Sequence, residues 1–414
     1  MALIVAFWLS VLHLQRSAAE DRVDYRYEDY REDNGRIRIR THGVGFEKEL
    51  SSKITAKGLL VYDGISGATP TGEAPARGSK ALPIASIEDI RRAASLNLDI
   101  RHGRHTTTPE LSYSEESDYT SRGLSLTHSI DFNQKNTTLL LGAAHNFDSV
   151  GGGVLTDFQR KDTTDLLMGL NQLLSPATVL SVNLTLGYSD GYLNDPYRRA
   201  TFLLPDSPDP IFSDPAAVNP LSDNRPHHRF KQVGLASLTQ FIAPLNGSVE
   251  GGYRLYHDDW GIWASTVSLT WYQKIGKHLT LSPLFRYYYQ GAADFYAPSF
   301  QGVSFDEYAG GTRVAFQDGV FVGFQGDPVF PSAGDESAFQ ILPVPARPSY
   351  FSADYRLSQL ETITYGIGAR VKLGEHFTLD VAWKRYEMHA LDGVTSRSAY
   401  PSANVFTVGC GIWF

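Results

Sequence analysis

Residues Val405–Phe414 read Val-Phe-Thr-Val-Gly-Cys-Gly-Ile-Trp-Phe and close the printed sequence. Every second residue from Phe406 to Phe414 is apolar, and small or hydroxyl-bearing residues occupy most positions between them. Successive side chains of a β-strand point to opposite faces, so this alternation predicts a strand with one apolar and one polar face. Cys410, the one cysteine of the chain, falls on the apolar face, and we interpret it as a small hydrophobic residue.

The same alternation recurs along the chain, most cleanly in residues 178–189, 262–272, 362–373 and 377–384. Between the strands, short and long connections take turns. The short turns lie near residues 48–53, 102–107, 133–136, 174–177, 243–247, 274–277 and 374–376. The longer ones lie near residues 32–35, 65–88, 117–121, 148–160, 191–226, 257–261, 290–350 and 389–402. Seven short and eight long connections predict 16 strands, and 14 or 18 would also be acceptable.

Short turns at one end and long loops at the other are typical of a transmembrane barrel, whereas a soluble sandwich has no reason for this asymmetry. We therefore predict an all-β fold, an antiparallel outer-membrane β-barrel of a Gram-negative bacterium with both termini in the periplasm. The chain has 414 residues, a net charge of −8 and no apolar run long enough for a membrane-spanning helix. The negative charge argues against nucleic acid as a partner.

Both ends of the sequence fit an exported barrel. Residues 1–19 contain one apolar stretch followed by small residues, which predicts a cleaved signal peptide and leaves residues 20–414 as the barrel. A strand that ends in Phe414 resembles the signal read by the barrel-assembly machinery. The partners predicted from these features are outer-membrane lipid and that machinery.

The polar faces of the strands predict the lining of the lumen. We expect an inward row of Arg36, Arg38 and Arg40, and further inward cations at Arg254, Arg370 and Lys372. Neighbouring acidic residues indicate a wall of ion pairs rather than a filter of a single sign. The long loops near 65–88, 191–226 and 290–350 should be extracellular, and the last either folds inward as a constriction or caps the mouth.

Five segments suggest a family. They are Asp63–Pro70 (DGISGATP), Glu116–Tyr119 (ESDY), Gly191–Tyr197 (GYLNDPY), Asp258–Gly261 (DDWG) and Gln290–Tyr296 (QGAADFY). Together they resemble a family of Gram-negative proteins that carry a domain of unknown function and are thought to be outer-membrane barrels. The resemblance runs from about residue 22 to Phe414 and implies the barrel, but it implies no settled activity.

Residues Asp63–Thr69 carry a second resemblance. Asp63, Ser66, Gly67, Ala68 and Thr69 are similar to the acceptor signature for covalent FMN, in which a transferase joins the FMN phosphate to the last Thr hydroxyl. The resemblance implies FMN on Thr69, with a periplasmic FMN transferase or redox protein as partner. Small residues would admit a bulky donor, and a nearby Asp could orient the hydroxyl. The alternative is an ordinary turn at a strand end.

We therefore expect a porin-like conduit that has no catalytic or metal-binding residues and serves an extracytosolic flavin or redox system. One alternative is a plugged scaffold whose loops dock a partner without transport. Another is an outer-membrane hydrolase, for which the sequence offers no nucleophile motif.

Overall fold

The computed structural model describes residues 21–74, 81–203, 220–301, 315–317, 320–322 and 348–414. The predicted signal peptide, residues 1–19, lies outside this part of the chain. Sixteen long strands form the wall: β1 Arg22–Glu32, β2 Arg38–Ser51, β3 Ile54–Pro70, β4 Ile84–His102, β5 His105–Glu115, β6 Tyr119–Phe132, β7 Thr137–Val150, β8 Gln159–Ser175, β9 Thr178–Gly191, β10 His228–Ile242, β11 Gly247–Asp258, β12 Trp263–Ile275, β13 Leu279–Gln290, β14 Leu360–Leu373, β15 Phe377–Ala390 and β16 Ser402–Trp413.

The strands close into one barrel in which each pairs antiparallel with its sequence neighbours. β1 and β16 complete the ring, with Arg22 opposite Trp413 and Glu32 opposite Ala403. Closure pairs the backbone groups of the first and last strands, so the 16-stranded wall itself has no open edge, which a bilayer would not tolerate. The predicted count of 16 strands is confirmed.

The outer face of the barrel is apolar. Large side chains exposed there include Val44, Phe46, Leu124, Leu126, Val182, Leu184, Trp263, Phe285, Ile367 and Ile412. Positions between them face the lumen and are mostly polar or glycine, which is the arrangement of a barrel surrounded by lipid. Cys410 shares the outer face with Phe406 and Ile412, as the alternation predicted. In the described part of the chain, no helix is long and apolar enough to cross a membrane.

The connections follow the predicted alternation. Seven turns of two to four residues lie at the end that holds Arg22 and Trp413, and eight connections of three or more residues lie at the other end. Among the described residues, two of the short turns contain a 3-10 helical turn, and the longer connections contain three others. These 3-10 turns are Asp33–Gly35, Asn133–Lys135, Ala243–Leu245, Tyr355–Leu357 and Arg397–Ala399. The short-turn end is periplasmic and the long-loop end extracellular.

One predicted loop is shorter than expected. The loop near 65–88 narrows to 71–83 because β3 and β4 stay paired from Ile54 opposite Ile100 to Pro70 opposite Ile84. Residues 63–69 therefore lie within a strand, which excludes the alternative of an ordinary turn there and moves the start of the loop from residue 65 to residue 71. The other two long loops run from 192 to 227 and from 291 to 359, and parts of both lie outside the described residues.

Candidate functional site

A loop segment crosses the extracellular mouth of the barrel. After β9 the chain runs to the β3–β4 connection, where the Arg199 amide donates to the Thr71 carbonyl at 2.9 Å. Beside this bond, Nη2 of Arg198 donates to Oγ1 of Thr69 at 3.0 Å. β9 and β3 are six strands apart around the ring. The segment reaches this far only by passing over the lumen.

A second segment, which precedes β14, packs on the first. Asn224 and Phe351 exchange two backbone hydrogen bonds of 3.0 and 2.7 Å. The ring of Phe202 meets that of Phe351 edge-on with centroids 5.0 Å apart, and Phe300 stacks on Phe202 at 5.2 Å. Phe202 and Phe351 are almost completely buried. Together these contacts form a small hydrophobic core at the mouth, built from loops of different hairpins.

Two further cores join this layer to the rim. Trp260 and Ile262 of the β11–β12 connection pack with Ala293 and Leu357. Tyr355 and Leu360 pack with Tyr400 of the β15–β16 connection, and the Ser358 and Tyr400 hydroxyls share a hydrogen bond. We call this layer the cap. It consists of residues 192–203, 220–227, 291–301 and 348–359.

Charged side chains hold the cap together. Asp354 is almost fully buried and accepts hydrogen bonds from Arg225 at 2.9 Å and from Nε of Arg356 at 2.9 Å. Arg225 also pairs with Asp223, and Arg356 reaches Asp195. We call these five residues the latch. Because they come from the β9–β10 and β13–β14 loops, the latch joins the two crossing segments.

The latch carboxyls titrate in different ranges. Burial alone would raise the pKa of Asp354, but the charges of Arg356 and Arg225 outweigh it and hold the pKa well below its usual range. The pKa of Asp195 is also lowered, since Arg356 and Arg198 outweigh its burial. For Asp223, burial dominates over Arg225 and raises the pKa. The neighbouring arginines therefore favour the charged form of Asp354 and Asp195 more strongly than that of Asp223.

Below the cap, the lumen wall carries two parallel rows of side chains. Arg254 is level in the strand register with Tyr288, and Arg286 is level with Tyr386. Because barrel strands tilt relative to the barrel axis, residues that pair directly across strands lie at different heights along that axis. Residues at the same height are therefore shifted in the pairing register from one strand to the next. This stagger places Arg254, Arg286 and Lys384, on β11, β13 and β15, in one row, which we call the cation row.

A tyrosine row lies between the cation row and the cap. Tyr256, Tyr288 and Tyr386 each follow a member of the cation row by two residues, and Tyr30 of β1 continues their line. Three of these hydroxyls donate to an acceptor two residues closer to the mouth: Tyr256 to Asp258, Tyr288 to Gln290 and Tyr30 to Glu32. A recess of about 370 Å³ opens here, lined by Arg286, Tyr288, Tyr386 and, from the cap, Arg356.

Elsewhere the inner wall carries side chains of both signs that form ion pairs. Lys57 contacts Asp99 at 2.9 Å, Arg91 contacts Asp63 at 2.6 Å, and Arg370 contacts Asp380 at 2.6 Å. These cross-strand pairs are the wall that the sequence predicted. Arg254, Arg370 and Lys372 also face the lumen, because they lie on the opposite faces of their strands from the exposed Leu255, Ile367 and Leu373.

The predicted inward row at Arg36, Arg38 and Arg40 is wrong. Arg38 and Arg40 share the outer face of β2 with the exposed Val44 and Phe46. Their partners across the strand pair, Arg31 and Asp29, point outward as well, and Nη2 of Arg38 donates to Asp29 at 2.7 Å. Arg36 lies in the connection before β2, where it donates to the carbonyl oxygens of Ser398 and Ala399 at the rim.

The residues of the FMN-like signature are spread along β3 rather than gathered at one point. Asp63 and Thr69 are six residues apart, about 20 Å in an extended strand, and Asp63 pairs with Arg91 instead. Gly67 has φ +129°, and a Cβ there would come within 1.9 Å of the Arg36 carbonyl oxygen. Neighbouring Ser66 is exposed, and Ala68 pairs with Ser86. The glycine therefore accommodates a backbone approach, and this geometry gives Asp63 no access to the Thr69 hydroxyl.

One acidic group stands at the rim. Carboxylates of Asp89, Glu116 and Asp118 lie within 4.8 Å of one another, the one such group in the described ranges. Asp89 accepts from the Ser117 hydroxyl and Asp118 from the Tyr197 hydroxyl. Both carboxylates thus serve loop contacts.

Sequence reasoning missed the cap contacts and the cation and tyrosine rows. The rows do leave a trace in the sequence, because Arg254-Leu-Tyr256, Arg286-Tyr-Tyr288 and Lys384-Arg-Tyr386 repeat one pattern of a cation followed two positions later by tyrosine. The pattern recurs on every second strand of this part of the wall, which is where strands run in the same direction. Pairing of Arg198 with Thr69 leaves no comparable trace.

The fold and the site define a transmembrane β-barrel of the bacterial outer membrane, with an apolar outer wall, a polar lumen and a cap over the extracellular mouth. Within this class, the chain belongs to the family described as a protein of unknown function (DUF3570), whose model matches residues 8–158 and 154–405. No curated protein sequence matches the chain.

Solved structures with a similar course of the chain are outer-membrane proteins of several kinds. The siderophore receptor PirA from Pseudomonas aeruginosa has 10% identity and a TM-score of 0.42, with 96% of this chain and 62% of that chain covered. CdiB from Acinetobacter baumannii has 8% identity and a TM-score of 0.49, covering 96% and 61%. A bacterial polysaccharide outer membrane secretin has 6% identity and a TM-score of 0.46, with 95% of this chain and 98% of that chain covered. The chain thus spans less than two thirds of the first two, and its assignment rests on its own strand pairing.

Proposed function

We propose that the protein is a gated conduit of the outer membrane, whose lumen opens to the periplasm and whose cap closes the cell-surface mouth. The crossing of the mouth by two interlocked loop segments supports this proposal. The periplasmic turns have two to four residues and are too short to cross the lumen. A barrel of this size encloses water unless something fills it, so the cap decides whether solutes pass.

The latch is the part that a gate would have to release. Removing the charge of Asp354 leaves Arg225 and Arg356 without their shared buried partner, and breaking a buried pair in this way is strongly destabilising. In planar bilayers we expect rare, brief openings from the wild-type protein and frequent, long conductance steps from Asp354→Asn. Asp380→Asn is the matched control, because it breaks the ion pair with Arg370 near the periplasmic end.

The alternative is a plugged scaffold that docks a partner without transport, and the packing of the cap is the observation that favours it. A scaffold should show no conductance steps in the wild-type or in Asp354→Asn. If both proteins fold, as judged by heat-modifiable gel migration, and neither conducts, the conduit proposal is wrong.

Two hypotheses from the sequence stay predictions. One is that FMN on Thr69 lets the protein serve a redox system, and the other is that the barrel-assembly machinery recognises the strand that ends in Phe414. Coexpression with a periplasmic FMN transferase tests the first. The hypothesis requires an added FMN-monophosphate mass on the peptide that contains Thr69, and loss of that mass in Thr69→Ala. An intact mass equal to the bare polypeptide would show that the hypothesis is wrong.

A further inference from the structure

The cation row consists of three positive side chains that form no direct contact with a carboxylate in the described part of the chain. Within the described residues, Arg254, Arg286 and Lys384 make no hydrogen bond or ion pair with a carboxylate, whereas Lys57, Arg91 and Arg370 on the same inner wall each have one. The Cζ atom of Arg254 lies 5.6 Å from the centroid of the Tyr256 ring. The row therefore differs from these paired positions of the inner wall.

The three cations are close enough to repel one another. Adjacent members are separated by two strands and two residues, which places their Cα atoms about 12 Å apart, and their long side chains shorten that distance. Arg286 is within electrostatic range of both Arg254 and Lys384. Such a group is stabilised by a counter-charge between its members.

Other charged groups around the row do not supply that counter-charge in full. Glu28 of β1 faces Lys384, but it accepts from Thr407 and lies 3.9 Å from Arg26. Arg26 adds a further positive charge near Lys384. Arg356 descends from the cap into the same recess, and its negative partners Asp354 and Asp195 belong to the latch.

The walls of the recess suit a small anion with oxygen atoms. Arg286 and Arg356 offer guanidinium donors, and the Tyr386 hydroxyl has no hydrogen-bond partner among the described residues. Thr362 and Thr364 add hydroxyl groups to the same lining. Guanidinium and hydroxyl donors on converging strands match the acceptor oxygens of carboxylates and phosphates.

We propose that the cation row and the recess above it form a lumenal binding site for a small solute that carries carboxylate or phosphate groups. The site names the class of solute that the proposed conduit would pass, and in that sense it rests on the proposed function. Binding itself does not depend on conduction. Solute held beneath the cap is accessible from the periplasmic side while the mouth is closed.

Titration calorimetry on the full-length protein in neutral detergent at low salt tests the site, with citrate and inorganic phosphate as the two probes. We expect the wild-type barrel to bind at least one of them, and the Arg254→Gln/Arg286→Gln variant to bind it about ten-fold more weakly or worse. The probe that binds more tightly identifies carboxylate or phosphate as the favoured group. Lys384→Gln provides a second, milder change in the same row.

The matched control removes the same two charges from the outer wall. Arg40 and Arg122 face outward and make no ion pair in the described part of the chain, so Arg40→Gln/Arg122→Gln should bind as the wild type does. Equal weakening by this control, or binding of neither probe by a folded wild-type barrel, overturns the proposed site. If the barrel conducts but binds neither probe, the conduit proposal holds and the binding site is wrong. If it binds a probe but does not conduct, the binding site holds and the conduit proposal is wrong.

Discussion

Arg198, on the loop that follows β9, donates a hydrogen bond to the hydroxyl of Thr69 at the end of β3, at 3.0 Å and across the barrel mouth. The Arg198 side chain is buried, and its Cζ atom lies 5.8 Å from the centroid of the Tyr355 ring. Its Nη1 atom has no hydrogen-bond partner among the described residues. One residue of the sequence signature thus anchors the cap to the wall.

Replacing Thr69 should loosen the cap. In Thr69→Val the buried Arg198 guanidinium loses an acceptor, a loss of about 1–3 kcal/mol. We expect amide hydrogen exchange in residues 196–203 to become roughly ten-fold faster. Ser66→Ala, an exposed change on the same strand, should leave that exchange unchanged. Equal exchange in Thr69→Val and wild type would mean that the bond does not hold the cap.

Gly67 should be intolerant of a side chain. The Cβ of Gly67→Ala would overlap the Arg36 carbonyl oxygen at 1.9 Å, and φ +129° is unfavourable for any other residue. We expect a loss of folding stability of more than about 2 kcal/mol, seen as a lower urea midpoint.

Gly64→Ala is the control for this prediction, because a Cβ at Gly64 has no heavy atom within 4 Å. Its urea midpoint should stay close to that of the wild type. Similar midpoints for both variants would show that the approach of Arg36 to β3 is absent in solution.

The latch should not weaken as the pH falls through the neutral range. The folded-state pKa of Asp354 and of Asp195 lies below the ordinary 3.8, so their stabilisation is complete above that value and is lost as the pH falls through the lowered pKa. Asp223 has a raised pKa and acts in the opposite direction, favouring the folded cap as the pH falls. We expect no loss of protection of residues 351–358 from hydrogen exchange, corrected for intrinsic rates, between about pH 8 and about pH 5, because Asp354 and Asp195 stay charged and Asp223 can only add protection as the pH falls. A steep loss of protection within that range would contradict the assignment of charges.

The barrel was predictable from the sequence because its signals are local. Alternation in stretches such as 178–189 fixes a strand and its two faces, and turn lengths fix the number of strands. The error at Arg38 and Arg40 arose from following the charges. Val44 and Phe46 lie on the same face of β2 as Arg38 and Arg40. On a lipid-facing wall, these apolar residues are a stronger signal of the outer face than the two charges.

The cap could not be predicted in the same way. Its contacts join residues that are far apart in sequence, such as Thr69 with Arg198 and Arg225 with Asp354, and each depends on the closed ring bringing the loops to one mouth. The role of Gly67 is equally non-local, because it depends on where the backbone of Arg36 passes. The sequence left open whether the loop near 290–350 constricts or caps, and its residues 291–301 and 348–350 belong to the cap.

The most direct measurement of the central claim is the conductance of a barrel whose cap can be tethered at will. Thr71 and Arg199 are joined by a backbone hydrogen bond, close enough for a disulfide whose Cα atoms lie about 4.4–6.8 Å apart. In a Cys410→Ser background carrying Asp354→Asn, Thr71→Cys/Arg199→Cys should remain closed when oxidised and show conductance steps after reduction. Conductance that is the same in both redox states, or absent from both while the protein is folded, would contradict a cap that gates the lumen.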